Sequence, residues 1–124
     1  MIYLDTHVVV WLYAGLTTRL RPATRNVLNV NDLAISPMVF LELQYLYETG
    51  RTTEPASTVV EDLSRRIGLR IHEEPFQHVI ELAVQQAWTH DPFDRIIVGQ
   101  AALHQTILVT KDRMLRKHYP RAEW

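Results

Sequence analysis

The sequence predicts an α/β protein, a three-layer α/β/α sandwich around a short, mostly parallel sheet. Short apolar segments (MIYLD, DLAIS, LRIH and ILVT) alternate with longer segments that carry helix caps or helical spacing. Buried strands of a parallel sheet form continuous apolar runs, and helices connect them across both faces. At 124 residues and 47% hydrophobic content, the chain is expected to form one domain over residues 1–124.

The first helices are predicted from their capping residues. THVVVWLYAG follows the first strand and ends at Gly15, and RLRPATRNVLNV is polar enough for a surface helix. Ser36 is a good N-cap and Pro37 a good first helical residue, so a helix is expected from there to Gly50. EPASTVVEDLSRRIG is a further helix that ends at Gly68.

The second half of the chain begins with the clearest helical period, in EPFQHVIELAVQQAW. Its apolar residues follow the i, i+3, i+4, i+7 spacing and are Phe76, Val79, Ile80, Ala83, Val84, Ala87 and Trp88. HDPFDRIIVGQAALHQ is predicted as the next helix, to about Gln105. KDRMLRKHY is a short basic helix, and AEW is an edge strand.

Composition limits the possible functions. A net charge of −1 excludes a broadly basic nucleic-acid surface, so a polyanionic substrate would have to be held by a few basic side chains or a metal. There is no cysteine for a disulfide or thiolate site. No apolar run approaches the ~20 residues of a membrane span, and MIYLDTH lacks the basic start of a signal peptide. We therefore expect a soluble, cytosolic protein.

Four carboxylates from distant segments are predicted at one end of the sheet. Asp5 ends the first strand, and Asp112 lies two residues after the last long one. Glu42 lies in the helix that leaves the second strand, and Asp94 lies in the first turn of a later helix. Ligands of such sheets bind beyond the carboxyl ends of the strands. The four acids are therefore candidates for one site.

Glu42 and Asp94 are the acids that capping explains least well. The helical neighbours of Glu42 are apolar or aromatic: Met38, Val39, Tyr45 and Leu46. A carboxylate on such a face has to be protonated, hydrogen-bonded or bound to a cation. Asp91 is a good N-cap, whereas Asp94 shares its face with Ile97 and Val98. Asp5 and Asp112 alone would also suit helix capping.

Clustered carboxylates cannot all stay ionised without a compensating cation, and hard oxygen ligands suit Mg²⁺ or Mn²⁺. Such a site activates water and neutralises charge on a phosphodiester, so hydrolysis of a nucleic-acid backbone is the predicted reaction. Arg95, Lys111 and Arg113 flank two of the acids and are candidates for phosphate contacts or for solvated surface charge.

The histidines and several aromatic residues are predicted to have structural roles. No pair of the 6 histidines has a metal-ligand spacing with a nearby acid, and only His7 is adjacent to the proposed cluster. Trp11, Tyr45 and Tyr47 are interpreted as packing residues and not as base-stacking platforms.

Four stretches of the chain resemble PIN-domain ribonucleases, and specifically VapC-like toxins of type II toxin–antitoxin pairs. They are YLDTHVVVWL, ISPMVFLELQYLYETGR, HDPFDRIIVGQAALH and ILVTKDRML, in the expected order. The resemblance implies a Mg²⁺- or Mn²⁺-dependent endoribonuclease with metal-site roles for Asp5, Glu42, Asp94 and Asp112. Thr6 and Thr110 are candidates for the hydroxyl residue that the family often has near the site. It also implies a homodimer and a cognate antitoxin that blocks the active site.

Two alternatives remain open from the sequence. A receiver-type phosphoacceptor domain would explain Lys111 after the last long strand, but it needs an acidic pair after strand one, where this chain has DTH. A catalytically silent binding module would keep the sandwich and bind no divalent ion. Phosphate transfer from a small acyl phosphate would indicate the first alternative.

Overall fold

The computed structural model describes residues 1–124, which form five strands and seven α-helices. The strands are β1 (Ile2–Leu4), β2 (Leu33–Ile35), β3 (Arg70–Ile71), β4 (Leu108–Val109) and β5 (Ala122–Glu123). The helices are α1 (Thr6–Tyr13), α2 (Pro22–Val30), α3 (Pro37–Glu48), α4 (Ala56–Ile67), α5 (Phe76–Val84), α6 (Pro92–Leu103) and α7 (Arg113–His118). A short 3₁₀ turn at Thr17–Arg19 lies between α1 and α2.

The strands form one fully parallel sheet in the order β3-β2-β1-β4-β5. β1 is central, and Tyr3 pairs with Ala34 on one side and Leu108 on the other. The predicted α/β/α class and the edge strand at AEW are confirmed. The order differs from the 2-1-3-4-5 of receiver-type sheets because β3 lies at an edge, which removes the central acceptor position of that alternative.

The sheet is buried on both sides by one cluster of 24 hydrophobic residues. The central strands are completely apolar and buried, which explains why their sequences show no alternation. The predicted caps form: Ser36 Oγ accepts from Met38 N at 3.0 Å, and Gly68 ends α4 with a left-handed φ of 70°. None of the helices has the length and apolar character needed to cross a membrane.

Two helix ends differ from the prediction. α6 ends at Leu103 and not at Gln105, which has a φ of 51°. α5 ends at Val84, so the predicted helix through Trp88 is too long. After the end of α5 the chain turns, and the Trp88 ring stacks on His118 with a centroid distance of 5.1 Å.

The apolar face predicted for α5 is also narrower than its sequence indicates. Phe76 is 70% exposed and Val84 is 67% exposed, whereas Val79 and Ala83 are buried. α5 approaches α6 so closely that a Cβ added at Gly99 would lie 2.8 Å from the Val79 carbonyl oxygen. Helices in backbone contact bury a narrow stripe, so the outer apolar residues of α5 stay in solvent.

Candidate active site

A cavity of about 860 Å³ opens beside the carboxyl ends of β1 and β4. All four predicted acids line it, together with Asp91, and the other lining residues are His7, Trp11, Tyr45, Leu46, Arg51, Pro92, Phe93 and Lys111. The lining therefore holds five carboxylates against two permanent cations, Arg51 and Lys111. The carboxylates come from distant segments of the chain, as the sequence predicts.

Asp5 is the deepest of these acids, with 7% of its surface exposed. One carboxylate oxygen caps α1 by accepting from Thr6 N at 2.8 Å, and the other accepts from Thr110 Oγ1 at 2.6 Å. Burial raises the pKa of Asp5, and the hydrogen bonds from Thr110 and Thr6 only partly oppose this effect. Asp5 therefore caps α1 with one oxygen and accepts a hydrogen bond from Thr110 with the other.

Glu42 on α3 accepts a hydrogen bond from the buried hydroxyl of Thr6. Burial raises the pKa of Glu42, the Thr6 bond lowers it, and the charges of Asp5 and Asp91 raise it again. The face of α3 that the sequence predicts to be buried in fact lines the cavity at Glu42 and at Tyr45, which is 45% exposed.

Asp91 and Asp94 divide the tasks at the start of α6. Asp91 is the N-cap and accepts from Phe93 N at 2.8 Å, as predicted. Asp94 does not cap the helix, and its side chain is half-buried in the cavity wall. Burial and, to a smaller extent, the charges of Asp91, Asp5, Asp112 and Glu42 together raise the pKa of Asp94 to about 7.

Asp112 caps the short helix α7 by accepting from Leu115 N at 3.0 Å. It is exposed at the cavity mouth, and its backbone N–H donates to Thr110 Oγ1 at 3.1 Å. Thr110 therefore joins the backbone of Asp112 to the carboxylate of Asp5. The capping alternative and the cavity position both apply to Asp112.

The donor set has the chemistry of a hard-cation site but is not a ready-made cage. No three His, Asp or Glu side chains are close enough together to hold an ion directly. Mg²⁺ in proteins keeps several waters and uses one or two carboxylates, so an open set of oxygen donors suits it. Three of the carboxylates also have raised pKa values, which a nearby dication would lower.

The predicted phosphate contacts do not all lie at the cavity. Lys111 lines it, and its ammonium lies 5.6 Å from the centre of the Trp11 ring. Arg95 is half-buried outside the lining, and its Nε donates to the Thr89 carbonyl at 2.7 Å. Arg113 also lies outside it. Arg51, directly after Gly50, also lines the cavity, and no motif in the sequence indicates this position.

Comparison with known proteins gives consistent results over nearly the whole chain. A family model described as PIN domain matches residues 2–119. Ribonuclease VapC22 of Mycobacterium tuberculosis (strain ATCC 25618 / H37Rv) is 30% identical over 126 residues, which cover 97% of this chain and 94% of that protein.

Two solved structures share the fold. A toxin–antitoxin complex from Klebsiella pneumoniae superposes with a TM-score of 0.68 at 20% identity, covering 100% of this chain and 97% of the other. VapBC2 from Rickettsia felis, bound to a DNA fragment from their promoter, superposes with a TM-score of 0.70 at 23% identity. The match covers 99% of this chain and 98% of the other. The match to the family model and the identity to a curated relative show that this chain belongs to the PIN-domain family, as a VapC-like member.

Proposed function

We propose that this chain is a Mg²⁺- or Mn²⁺-dependent endoribonuclease and the toxin of a toxin–antitoxin pair. The observation that carries the proposal is the cavity itself, in which five carboxylates face two permanent cations. Ribonuclease VapC22 and the toxin–antitoxin complexes among the structural relatives support the same activity and a cognate antitoxin. We also propose that the single PIN-like domain spans residues 1–124, that it forms a homodimer, and that it acts in the cytoplasm.

The proposed ligands are Asp5 and Asp94 for the principal ion, directly or through water, with Asp112 for a second or weaker one. When bound, the ion would lower the pKa of a coordinated water and offset charge on the scissile phosphodiester. Thr110 fixes one oxygen of Asp5 through its hydrogen bond of 2.6 Å. An ordered carboxylate loses less entropy on coordination.

Glu42 is proposed to orient the attacking water and accept its proton. The Thr6 hydroxyl holds the Glu42 carboxylate at the cavity wall. Burial raises the pKa of Glu42, which makes the ionised carboxylate a stronger base. Lys111 is proposed to contact a backbone phosphate, since its ammonium is held near the cavity by Trp11.

The test is RNA cutting by the purified, antitoxin-free protein. We expect cleavage with Mg²⁺ or Mn²⁺, none with EDTA, and loss of cutting in Asp5→Asn with an unchanged circular-dichroism spectrum. Calorimetry with Mn²⁺ separates this proposal from the silent binding module. A folded protein that neither binds Mn²⁺ nor cuts RNA would show that the proposal is wrong, and undiminished cutting by Asp5→Asn would remove Asp5 from the site.

A further inference from the structure

Two aromatic rings form part of the cavity wall next to the acids. Tyr45 lies three residues after Glu42 on α3, and Phe93 directly precedes Asp94 on α6. Their ring centres are 5.6 Å apart, with an angle of 33° between the planes. Residues three apart on a helix are surface neighbours, so the ring pair lies within one helical turn of two proposed catalytic carboxylates.

The Tyr45 ring is unusually open for a packing residue. The residue is 45% exposed although its ring contacts Phe93, and it lines the cavity. Trp11, the other large aromatic residue of the lining, is already engaged. Arg19 and Lys111 lie 5.8 and 5.6 Å from its ring centre, and Trp124 packs against it at 5.7 Å.

The charge of the cavity leaves a need for uncharged binding contacts. Five carboxylates line it against Arg51 and Lys111, so basic side chains alone give a nucleic-acid backbone little attraction. Stacking of a base on an aromatic ring is worth about 1–3 kcal/mol and involves no net charge. The Tyr45–Phe93 ring pair beside the acids can provide this contact, where few basic side chains attract the nucleic-acid backbone.

We propose that the Tyr45–Phe93 ring pair is a base-stacking subsite for a nucleotide adjacent to the scissile phosphate. This inference rests on the proposed ribonuclease function and assigns the pair to substrate positioning. The ligand is the planar face of a nucleobase, and the aromatic rings are the groups that recognise it. Which base is preferred then depends on the polar side chains of the cavity, and Arg51 is one of them.

The experiment uses a single-stranded oligoribonucleotide that the protein cuts at one mapped bond, with an abasic nucleotide placed in turn at each position around that bond. For the wild type, we expect one flanking abasic position to slow cutting about 5- to 100-fold. Tyr45→Ala should show a similar loss with the intact oligonucleotide, mainly in KM, and should be insensitive to the abasic nucleotide at that position.

Tyr47→Ala is the matched control. Tyr47 lies on the same helix and is 40% exposed, but it does not line the cavity. This variant should keep both the wild-type rate and the wild-type abasic profile. Tyr45→Phe, which retains the ring, should recover most of the activity that Tyr45→Ala loses. Phe93→Leu should weaken binding where Phe76→Leu does not.

A binding measurement makes the result independent of catalysis. The affinity of the wild type, Tyr45→Ala and Tyr47→Ala is followed by fluorescence anisotropy. The probe is a labelled oligonucleotide with methylene phosphonate linkages, which keep the charge and resist hydrolysis. Weaker binding in Tyr45→Ala alone supports the subsite, even if no cutting is seen and the proposed function fails. A flat abasic profile, equal affinities of the two alanine variants, or no oligonucleotide binding by the wild type would overturn the subsite.

Discussion

Glu74 and the cavity carboxylates of Asp5 and Glu42 are all poorly solvated, but they have different hydrogen-bond partners. Glu74, whose side chain is 12% exposed, accepts from His72 Nε2 at 3.0 Å and from His104 Nε2 at 3.3 Å. Each of its oxygens therefore has a partner that becomes cationic on protonation. In the cavity, Asp5 and Glu42 have only neutral donors, two threonine hydroxyls and a backbone amide.

Neighbouring charges also affect the pKa values of the cavity carboxylates. Beyond the effect of burial, the charges of the other cavity acids raise the pKa of Asp94 and Glu42 further. At Asp5, the lowering effect of His7 on the pKa exceeds the raising effect of Asp112. A fold that needed these side chains only for structure could pair them with histidines, as it does for Glu74. Unpaired acids in a cavity indicate a binding function, because perturbed carboxylates cluster where a ligand completes the site.

The largest expected effect comes from removing one carboxylate charge from the cavity. The same change at Glu74 should have no effect. Asp94→Asn should reduce divalent-dependent RNA cleavage by about 100-fold or more, because it removes a proposed metal ligand. Glu74→Gln is the matched control outside the cavity and should keep the wild-type rate. Initial rates on one RNA substrate measure both, and equal losses in the two variants would remove the functional distinction between Glu74 and the cavity carboxylates.

Metal-linked stability is the next largest expected effect. A ligand that binds only the folded chain at one hundred times its Kd adds about 2.7 kcal/mol to the free energy of unfolding. Thermal unfolding with and without Mn²⁺ should therefore show a higher Tm for the wild type and for Glu74→Gln. Asp94→Asn should show a much smaller shift, and a full shift in this variant would place the ion elsewhere.

Thr110→Val tests the dependence of the cavity on neutral donors. The substitution leaves Asp5 Oδ2 without a donor and the Asp112 backbone N–H without its acceptor. We expect a loss of about 1–3 kcal/mol in the free energy of unfolding, measured by chemical denaturation. Thr110→Ser, which keeps the hydroxyl, should recover most of it. Wild-type stability in Thr110→Val would show that the two hydrogen bonds of the hydroxyl contribute nothing.

The pH dependence of stability without divalent ions follows from Asp94. Its pKa is raised from 3.8 to about 7, so the folded chain holds a proton that the unfolded chain has released. Stability is therefore lost as the pH rises from about 4 to about 7. At about pH 8, Asp94→Asn should be about 1–2 kcal/mol more stable than the wild type, after allowance for solvent screening.

The same comparison at about pH 3 should show little difference, because Asp94 is then largely protonated in both states. Asp62→Asn is the control, since Asp62 pairs with Arg66 on the exposed face of α4 and lies outside the cavity. Urea denaturation in EDTA at both pH values measures the effect. A constant difference between wild type and Asp94→Asn would rule out a shifted pKa.

His104→Ala should have the smallest effect. Its imidazole is 65% exposed, and exposed ion pairs contribute about 0.2–1 kcal/mol. We expect a loss in this range in the free energy of unfolding. Chemical denaturation checks it, and a loss as large as that of Thr110→Val would show that Glu74 depends on this single partner.

Local chemistry made much of this structure predictable. Ser36, Asp91 and Gly68 cap helices by contacts with residues close in sequence, so their positions follow from the chain itself. The convergence of Asp5 and Asp112 on one sheet edge was predictable because every strand end of a parallel sheet faces the same way.

The features that sequence patterns missed depend on packing between distant segments. Strand order has no local determinant, so the edge position of β3 could not be predicted. Tyr45 has the sequence context of a core residue, and only the placement of α6 against α3 turns it toward the cavity with Phe93. Arg95 flanks Asp94 in sequence, yet the turn before α6 brings the Thr89 carbonyl to its guanidinium.

Gly99 has a consequence for how this site can change over evolution. The missing side chain lets α6 rest on the backbone of α5, where an added Cβ would lie 2.9 Å from Ala83 N. Asp94 lies five residues earlier on α6. The contact of Gly99 with α5, on the side of the helix that faces away from the cavity, therefore helps to set the depth of Asp94 in the cavity. An alanine at position 99 would require α6 to move away from α5 and would carry Asp94 with it. A position that touches no ligand therefore constrains the geometry of the site.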